Sequence, residues 1–432
     1  MNNLPDMISL REITSDEFKA GYLISRLSSF GITRLADITG LDRLGIPTHS
    51  CVLPGRGDAI SVYSGKGLSD SHSIISSIME CLERTGPLWN MERVAIKSET
   101  ELVSEGVEFV SPSHFTEPPN NLYNQTIPMA WILGTSLISE RGVFVPADLA
   151  FSGFRAIQAP ISPFSCVTSN GLAAAFSRKN AIEHALREVM ERDVVSCIEL
   201  SSACFGAGIL EDIARLFEIN TDPIAKNFLN DPNKAVSVNI ATLPKTPRDL
   251  IRKFEDIGMQ FSVKALPNDF HIPVFGACAI EEMAPGNLLG GAGYAMHLNP
   301  EFAIIGAILE VAQARATSLQ GAREDYHEKQ TKSRLAVPPM SDWLLSPSDV
   351  PINFNDIAWK NARSGGESDL SVYIRAVKAT ELPEIIVVDF PIFEGVSVVR
   401  VLIPGAETTH PTGGLSRLGP RATALYDKYV GK

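Results

Sequence analysis

The chain lacks the features that mark several large classes of protein. Its six cysteines, Cys51, Cys81, Cys166, Cys197, Cys204 and Cys278, form no CxxC pair and no regular spacing. That argues against a disulfide framework or a zinc site and for reduced, buried thiols in the cytosol. The opening MNNLPDMISLREI has no basic segment followed by an apolar one, and no apolar run is expected to reach the length of a membrane span, so neither secretion nor insertion is expected. Positive charge is scarce, with 38 Lys plus Arg against 50 Asp plus Glu and a formal charge of −12. Nucleic acid is therefore not the expected main partner, and cations that serve an anionic ligand must be concentrated locally. No long linker, repeat or low-complexity tract divides the 432 residues, 44% of which are apolar, so one large globular unit is expected.

What is present reads as helices interleaved with strands. Thr14 to Glu17 has the spacing of a capping box, and Phe18, Tyr22, Leu23, Leu27 and Phe30 follow at helical intervals up to Gly31, predicting a helix of about four turns. Residues 32–62 mix β-branched residues with Gly and Pro and read as short strands and turns. Further helices are predicted from near Ser71 to Thr85, from Arg178 to Leu200, and from Asn299 as N-cap to Gly321. Between them SVYSGKG, AVSVNIATL, HIPVFGACAI, EIIVVDF and VSVVRVLIPG read as strands, which gives an α/β or α+β sandwich-like fold. Residues 1–58 read as an N-terminal helix and short strands packing on a core formed by residues 59–432. The polar, Pro/Gly-punctuated residues 325–380 read as a surface excursion.

Three segments could carry chemistry. Ser64-Gly65-Lys66-Gly67 offers a cation between glycines, a turn suited to phosphate, although Ile60 and Gly67 break the P-loop pattern and such a turn is also an ordinary surface feature. It precedes Ser77, Glu80, Glu83 and Arg84 on one helix. Ser169-Asn170-Gly171 likewise precedes Glu188, Glu191 and Arg192 on another. Side chains three or four apart share a helix face, so each Glu-x-x-Glu can grip a hard cation from one side; a solvated Glu–Arg face is the plainer reading of either alone. Four carboxylates converging would repel unless cations lay between them, and magnesium suits carboxylate and phosphate oxygens. The third segment supplies Arg315 and Arg323 as candidate phosphate clamps, with helix-end dipole pairing as the alternative for Arg323.

The blocks SGKGLSDSHSIISSIMECLER, SNGLAAAFSRKNAIEHALREVMERD, HLNPEFAIIGAILEVAQARATSLQGARED and VVRVLIPGAE, in that order, resemble the signatures of YcaO proteins over roughly residues 30–410. The resemblance implies helices packed on mixed sheets around a nucleotide site, ATP and Mg2+ as cofactors and phosphorylation of a peptide amide oxygen. The product would be an azoline, a thioamide or an amidine, according to the attacking nucleophile. It also implies Glu80, Glu83, Glu188 and Glu191 as metal ligands, with Lys66, Ser77, Arg84, Ser169, Asn170, Arg192, Arg315 and Arg323 toward the nucleotide.

The stretch GITRLADITGLDRLGIPTHS resembles members that act beside a TfuA protein and install thioamides. The ending RATALYDKYVGK lacks the proline-rich tail of many azoline-forming members. Thioamidation is thus the first expectation and azoline cyclodehydration the second. The substrate is expected to be a peptide or protein and the partner a TfuA-like or ThiF-like leader-binding protein; a homodimer is compatible with the reading. A di-iron protein would need paired Glu-x-x-His segments on facing helices, and Glu324-x-x-His327, at a helix end, does not supply that pair. A silent docking scaffold is the other alternative.

Overall fold

The protein is represented by a computed structural model that describes residues 15–55, 58, 60–116, 122–151, 159–164, 167–205, 220, 221, 223, 224, 226, 234–284, 287–322, 344, 350–359, 366–393, 395–408 and 419–430. Its elements begin with α1 (Asp16–Ser25), α2 (Leu27–Phe30), β1 (Arg34–Asp37), β2 (Thr48–Val52), β3 (Val62–Lys66), α3 (Asp70–Thr85), β4 (Ala95–Lys97) and α4 (Glu99–Ser104). They continue with β5 (Met129–Ser136), β6 (Gly142–Pro146), α5 (Ala147–Ala150), β7 (Leu172–Ala175), α6 (Arg178–Phe205), β8 (Val236–Ser237), α7 (Lys245–Glu255) and β9 (Gln260–Ala265). The last are β10 (Val274–Ala284), β11 (Asn287–Met296), α8 (Pro300–Gln320), α9 (Asp369–Lys378), β12 (Ile386–Phe393), β13 (Val396–Leu402) and α10 (Pro420–Val430). The mixture of helices and sheets is as expected, and the paired strands are antiparallel where mixed sheets were expected.

The strands form three sheets, ordered β1-β2-β3, β11-β10-β9-β8 and β4-β5-β12-β13-β7, with β6 on β5. Side chains alternate across a strand, and in the largest sheet both faces are covered. Ile386, Val388, Phe390, Val396 and Val398 pack into a core with Ile78 and Leu82 of α3. Val387, Val399 and Val401 point the other way, against Ala185, Leu186, Val189 and Met190 of α6. Two-sided burial explains why EIIVVDF and VSVVRVLIPG show no polar alternation. A third core lies between the four-stranded sheet and helices α7 and α8.

Several local expectations are corrected. The first helix breaks at Arg26, where Ser25 Oγ donates back to Tyr22 O at 2.6 Å and competes with the helical ladder. Its N-cap is Ser15, whose Oγ accepts from Phe18 N–H at 3.3 Å, one residue later than the capping-box spacing suggests. AVSVNIATL is a strand only over Val236–Ser237, because Asn239 Oδ1 accepts from Ala241 N–H and turns the chain into a 3-10 helix.

Residues 325–380 are not simply a surface excursion in their described parts. Phe354 and Trp359 pack on Phe275, and α9 buries Val372, Tyr373, Ala376 and Val377. Helix α8 does meet the length and mean hydropathy of a membrane span, against expectation. Its apolarity is that of a core helix, with Ala303, Ile304, Ala307, Ile308 and Val311 fully covered by protein.

Gly65 shows how tightly β3 rides on α3: a Cβ there would lie 2.0 Å from Ser77 N and 2.4 Å from Ser73 O, both backbone atoms. The glycines around Lys66 thus serve helix–strand contact, a role that a Gly-Lys-Gly motif does not reveal. Gly65→Ala is expected to lower stability by about 1–3 kcal/mol through overpacking. Gly21→Ala, where nothing lies within 4 Å, is expected to be neutral or stabilising in a helix. Thermal unfolding of the two variants checks this; equal melting temperatures would contradict it.

Candidate active site

Three helices bring carboxylates to one cleft. Helix α3 starts on Ser69, whose Oγ accepts from His72 N–H at 3.3 Å, and its small residues face strand β2. There His49 Nδ1 meets Ser73 Oγ at 2.7 Å and the Cys51 thiol donates to Ser77 Oγ at 3.4 Å. With that face buried, helical periodicity turns Glu80 and Glu83 toward α6. Glu83 lies against Glu80 and within electrostatic range of Glu188, which in turn feels Glu80. Glu191 feels Glu188 and also Glu310 from α8. All four expected metal ligands therefore share one cluster, joined by Glu310.

Backbone N–H groups aim these side chains. Strand β11 lies at a sheet edge, so half of its N–H groups have no strand partner. Tyr294 N–H donates to Glu310 Oε2 at 2.7 Å and Met296 N–H to Glu191 Oε2 at 2.8 Å. Gly171 N–H, beside Asn170, serves Glu188. The close approach that lets Tyr294 reach Glu310 depends on Gly293, where a Cβ would lie 2.4 Å from Ala307 O.

Three of these carboxyls, Glu83, Glu188 and Glu191, are held at raised pKa. Enclosure by protein raises Glu83 well above the usual range, with Glu80 and Glu188 adding to it. Enclosure raises Glu188 to about 7, opposed by Arg192 and assisted by Glu80. Glu191 is raised to about 8 by enclosure and then by Glu310, opposed by Met296 N–H. These side chains are only half-buried by surface area. They line the floor of a cleft, reachable from outside yet surrounded by protein.

The expected basic residues divide into two groups. Lys66 Nζ lies 3.4 Å from Glu310 Oε1. Arg192 acts electrostatically on Glu188 and Glu191 but forms no ion pair among the described residues. Arg84, by contrast, is held by Asp58 through two hydrogen bonds of 2.8 and 2.9 Å. Arg315, only 4% exposed, is clamped by Asp42 and Glu281 at 2.7 Å each, and Glu281 also binds Arg43. Asp58 and Asp42 come from loops and Glu281 from strand β10, partners that helical spacing does not show.

Ser77 is buried, donating to Ile74 O at 3.0 Å. Ser169 and Asn170 form the turn before β7, where Asn170 Oδ1 is buried without a partner. Arg323 lies outside the described residues.

Sequence reasoning missed Glu310, Gln313, His184 and Arg400 as site residues. Glu310-x-x-Gln313 repeats the three-residue step of the two acidic segments, and Gln313 Nε2 donates to Ser64 O on β3. His184 opens onto the cleft one turn before Glu188, its pKa lowered by enclosure and then by Arg187 and Lys66. Arg400, buried on β13, donates to Thr168 O at 3.0 Å beneath the Ser169-Asn170 turn. A charge inside an apolar strand was its signal. A cavity of about 1430 Å³ lies beside the other face of α6, lined by Asp193, Cys197, Ser201 and Arg421 and by none of the clustered glutamates.

Among the described residues no three His, Cys, Asp or Glu side chains converge into an all-protein metal cage. A structural zinc site is built as such a cage, whereas Mg2+ keeps waters and takes one or two carboxylates plus phosphate oxygens. Enclosed, mutually repelling carboxylates beside Arg192, which has no ion pair among the described residues, and the buried Asn170 Oδ1 therefore fit cations carrying a triphosphate, with Glu83, Glu188 and Glu191 to hold them.

A pH dependence follows. The fold keeps protons on Glu188 and Glu191 that an unfolded chain releases near 4.5, so the ligand-free fold loses stability as pH rises from there toward 8. Mg2+ requires the ionised form, so its nucleotide complex should bind near neutral pH with proton release and should tighten as pH rises. Calorimetry in buffers of different ionisation enthalpy measures this; buffer-independent binding heats would contradict the assignment.

Residues 64–407 match the family described as YcaO cyclodehydratase, ATP- and Mg2+-binding. The chain is 30% identical over 391 residues to an uncharacterised protein of Methanothermobacter thermautotrophicus, covering 88% of this chain and 91% of the relative. It is 27% identical over 418 residues to an uncharacterised protein in the tfuA 3′ region of Rhizobium leguminosarum bv. trifolii, covering 92% and 88%. Its fold is similar to the structure of YcaO from Methanopyrus kandleri bound with AMPPCP and Mg2+, at a TM-score of 0.64, 20% identity and 94% coverage of each chain. With most of its length inside the family match, the chain belongs to the YcaO family, whose ligands are ATP and Mg2+.

Proposed function

We propose that the chain is an ATP- and Mg2+-dependent enzyme that activates backbone amides of a ribosomally made peptide or protein, with a thioamide as the product. The observation that carries the reading is the convergence of Glu80, Glu83, Glu188, Glu191 and Glu310 beside an Arg192 that has no ion pair among the described residues. When bound, Mg2+·ATP supplies a phosphoryl group that turns an amide oxygen into a leaving group. The protein contributes position and charge. Glu83, Glu188 and Glu191 hold the cations, and the N–H groups of Tyr294, Met296 and Gly171 hold Glu310, Glu191 and Glu188 in place. Arg192 and Lys66 face the phosphates, while Arg84 and Arg315 brace the surrounding loops and strand β10 through Asp58, Asp42 and Glu281.

Two features support the thioamide: a relative in a tfuA 3′ region, and the likeness of residues 31–50 to members that act beside TfuA proteins. In this reading a TfuA-like protein is the partner and the cytoplasm the compartment. Azoline formation at Cys, Ser or Thr, with a ThiF-like leader-binding partner, is the second reading, favoured by the family's description as a cyclodehydratase.

Mass spectrometry of peptides from cells expressing the chain with its neighbouring genes decides between them. Exchange of oxygen for sulfur adds mass, whereas ring closure loses water. The product is expected to show the mass gain and to vanish with Glu191→Ala. Water loss would replace the thioamide by the azoline, and a product that survives Glu191→Ala would contradict the site.

A further inference from the structure

Tyr294 meets the carboxylate cluster through its backbone and leaves it through its side chain. Its N–H and that of Met296, two residues on, leave the strand in the same direction, so one edge aims Glu310 of α8 and Glu191 of α6. The Tyr294 hydroxyl reaches α6 and donates to Glu199 Oε1 at 2.8 Å. Glu199 stands seven residues after Arg192, two turns along the same helix face, and feels its charge. Across the ladder from Tyr294 stands Gly276, where a Cβ would come within 3.2 Å of the phenol ring. The ring is therefore fitted against β10 and held at its far end by α6.

Glu199 is not what stability alone would place there. It is 4% exposed and its Oε2 is buried with no hydrogen-bond partner. Burial raises its pKa, opposed by the Tyr294 hydroxyl and by Arg192. A buried carboxyl with an unsatisfied oxygen penalises folding, and apolar residues of similar size are often better tolerated.

We infer that Glu199 and Tyr294 are a positioning pair whose hydrogen bond pins edge strand β11 to α6 and so fixes the direction in which Glu310 and Glu191 present their oxygens to Mg2+·nucleotide. Neither residue touches cation or phosphate. The inference rests on the reading of the cleft as the Mg2+·nucleotide site.

The test is calorimetric titration with Mg2+ and AMPPCP, run beside thermal unfolding. Tyr294→Phe removes only the hydroxyl and is expected to weaken binding about tenfold, as loss of a hydrogen bond behind a metal ligand does. Its melting temperature should stay close to that of the wild type. Glu199→Leu should behave likewise and serves if Tyr294→Phe fails to fold. Glu199→Gln still offers an oxygen to the hydroxyl and should restore the affinity. Wild-type affinity in Tyr294→Phe or Glu199→Leu would overturn the pair, and so would a loss that Glu199→Gln shares. A wild-type chain that binds no Mg2+·AMPPCP would instead refute the reading of the cleft.

Discussion

Carboxylate repulsion, contained by the fold, is the constraint on which the site depends. Glu80 and Glu83 from α3, Glu188 and Glu191 from α6 and Glu310 from α8 follow one another along the cleft, each within electrostatic range of a neighbour, and enclosure first and these neighbours second make Glu83, Glu188 and Glu191 reluctant to ionise. Packing elsewhere sustains this arrangement. Helix α6 lies on β13 and β7 through Ala185, Val189 and Ala173, while α3 is seated on β3 by the missing Cβ of Gly65. Edge-strand N–H groups that face away from the neighbouring strand, ordinarily a liability, are used here to aim carboxylates. A site so built gains most when divalent cations arrive, because they relieve repulsion that the protein alone only tolerates.

Much of this was legible in the sequence because it depends on local periodicity. Helix α8 carries its own boundaries in Asn299, Pro300 and Gly321, α3 is stopped by Gly86-Pro87, and α6 shows an apolar stripe from Ala181 to Val194. The three-residue step between glutamates places each pair on one face wherever the helix packs, and the cleft receives both. The two-sided strands β12 and β13 are likewise visible as unbroken apolar runs.

What escaped depends on partners far away in the chain. Arg84 and Arg315 had the residue type and spacing of phosphate clamps, yet Asp58, Asp42 and Glu281 engage them, and no helical pattern reveals an opposing loop or strand. Strand β11 was missed because NLLGGAGYAM is glycine-rich, and glycine reads as turn; Gly293 is required for the close approach of α8. Glu310 went unassigned because its neighbour at the expected step is Gln313 rather than a second acid.

The central claim is that α3, α6 and α8 together grip divalent cations bearing a triphosphate. The most direct measurement is anomalous diffraction from crystals grown with Mn2+ and AMPPCP, since manganese occupies oxygen-ligand sites similar to those of magnesium and scatters anomalously. The account predicts peaks between the phosphates and the oxygens of Glu83, Glu188 and Glu191, with Arg192 turned toward the phosphates. Nucleotide and manganese bound elsewhere, with these carboxylates left unliganded, would contradict it.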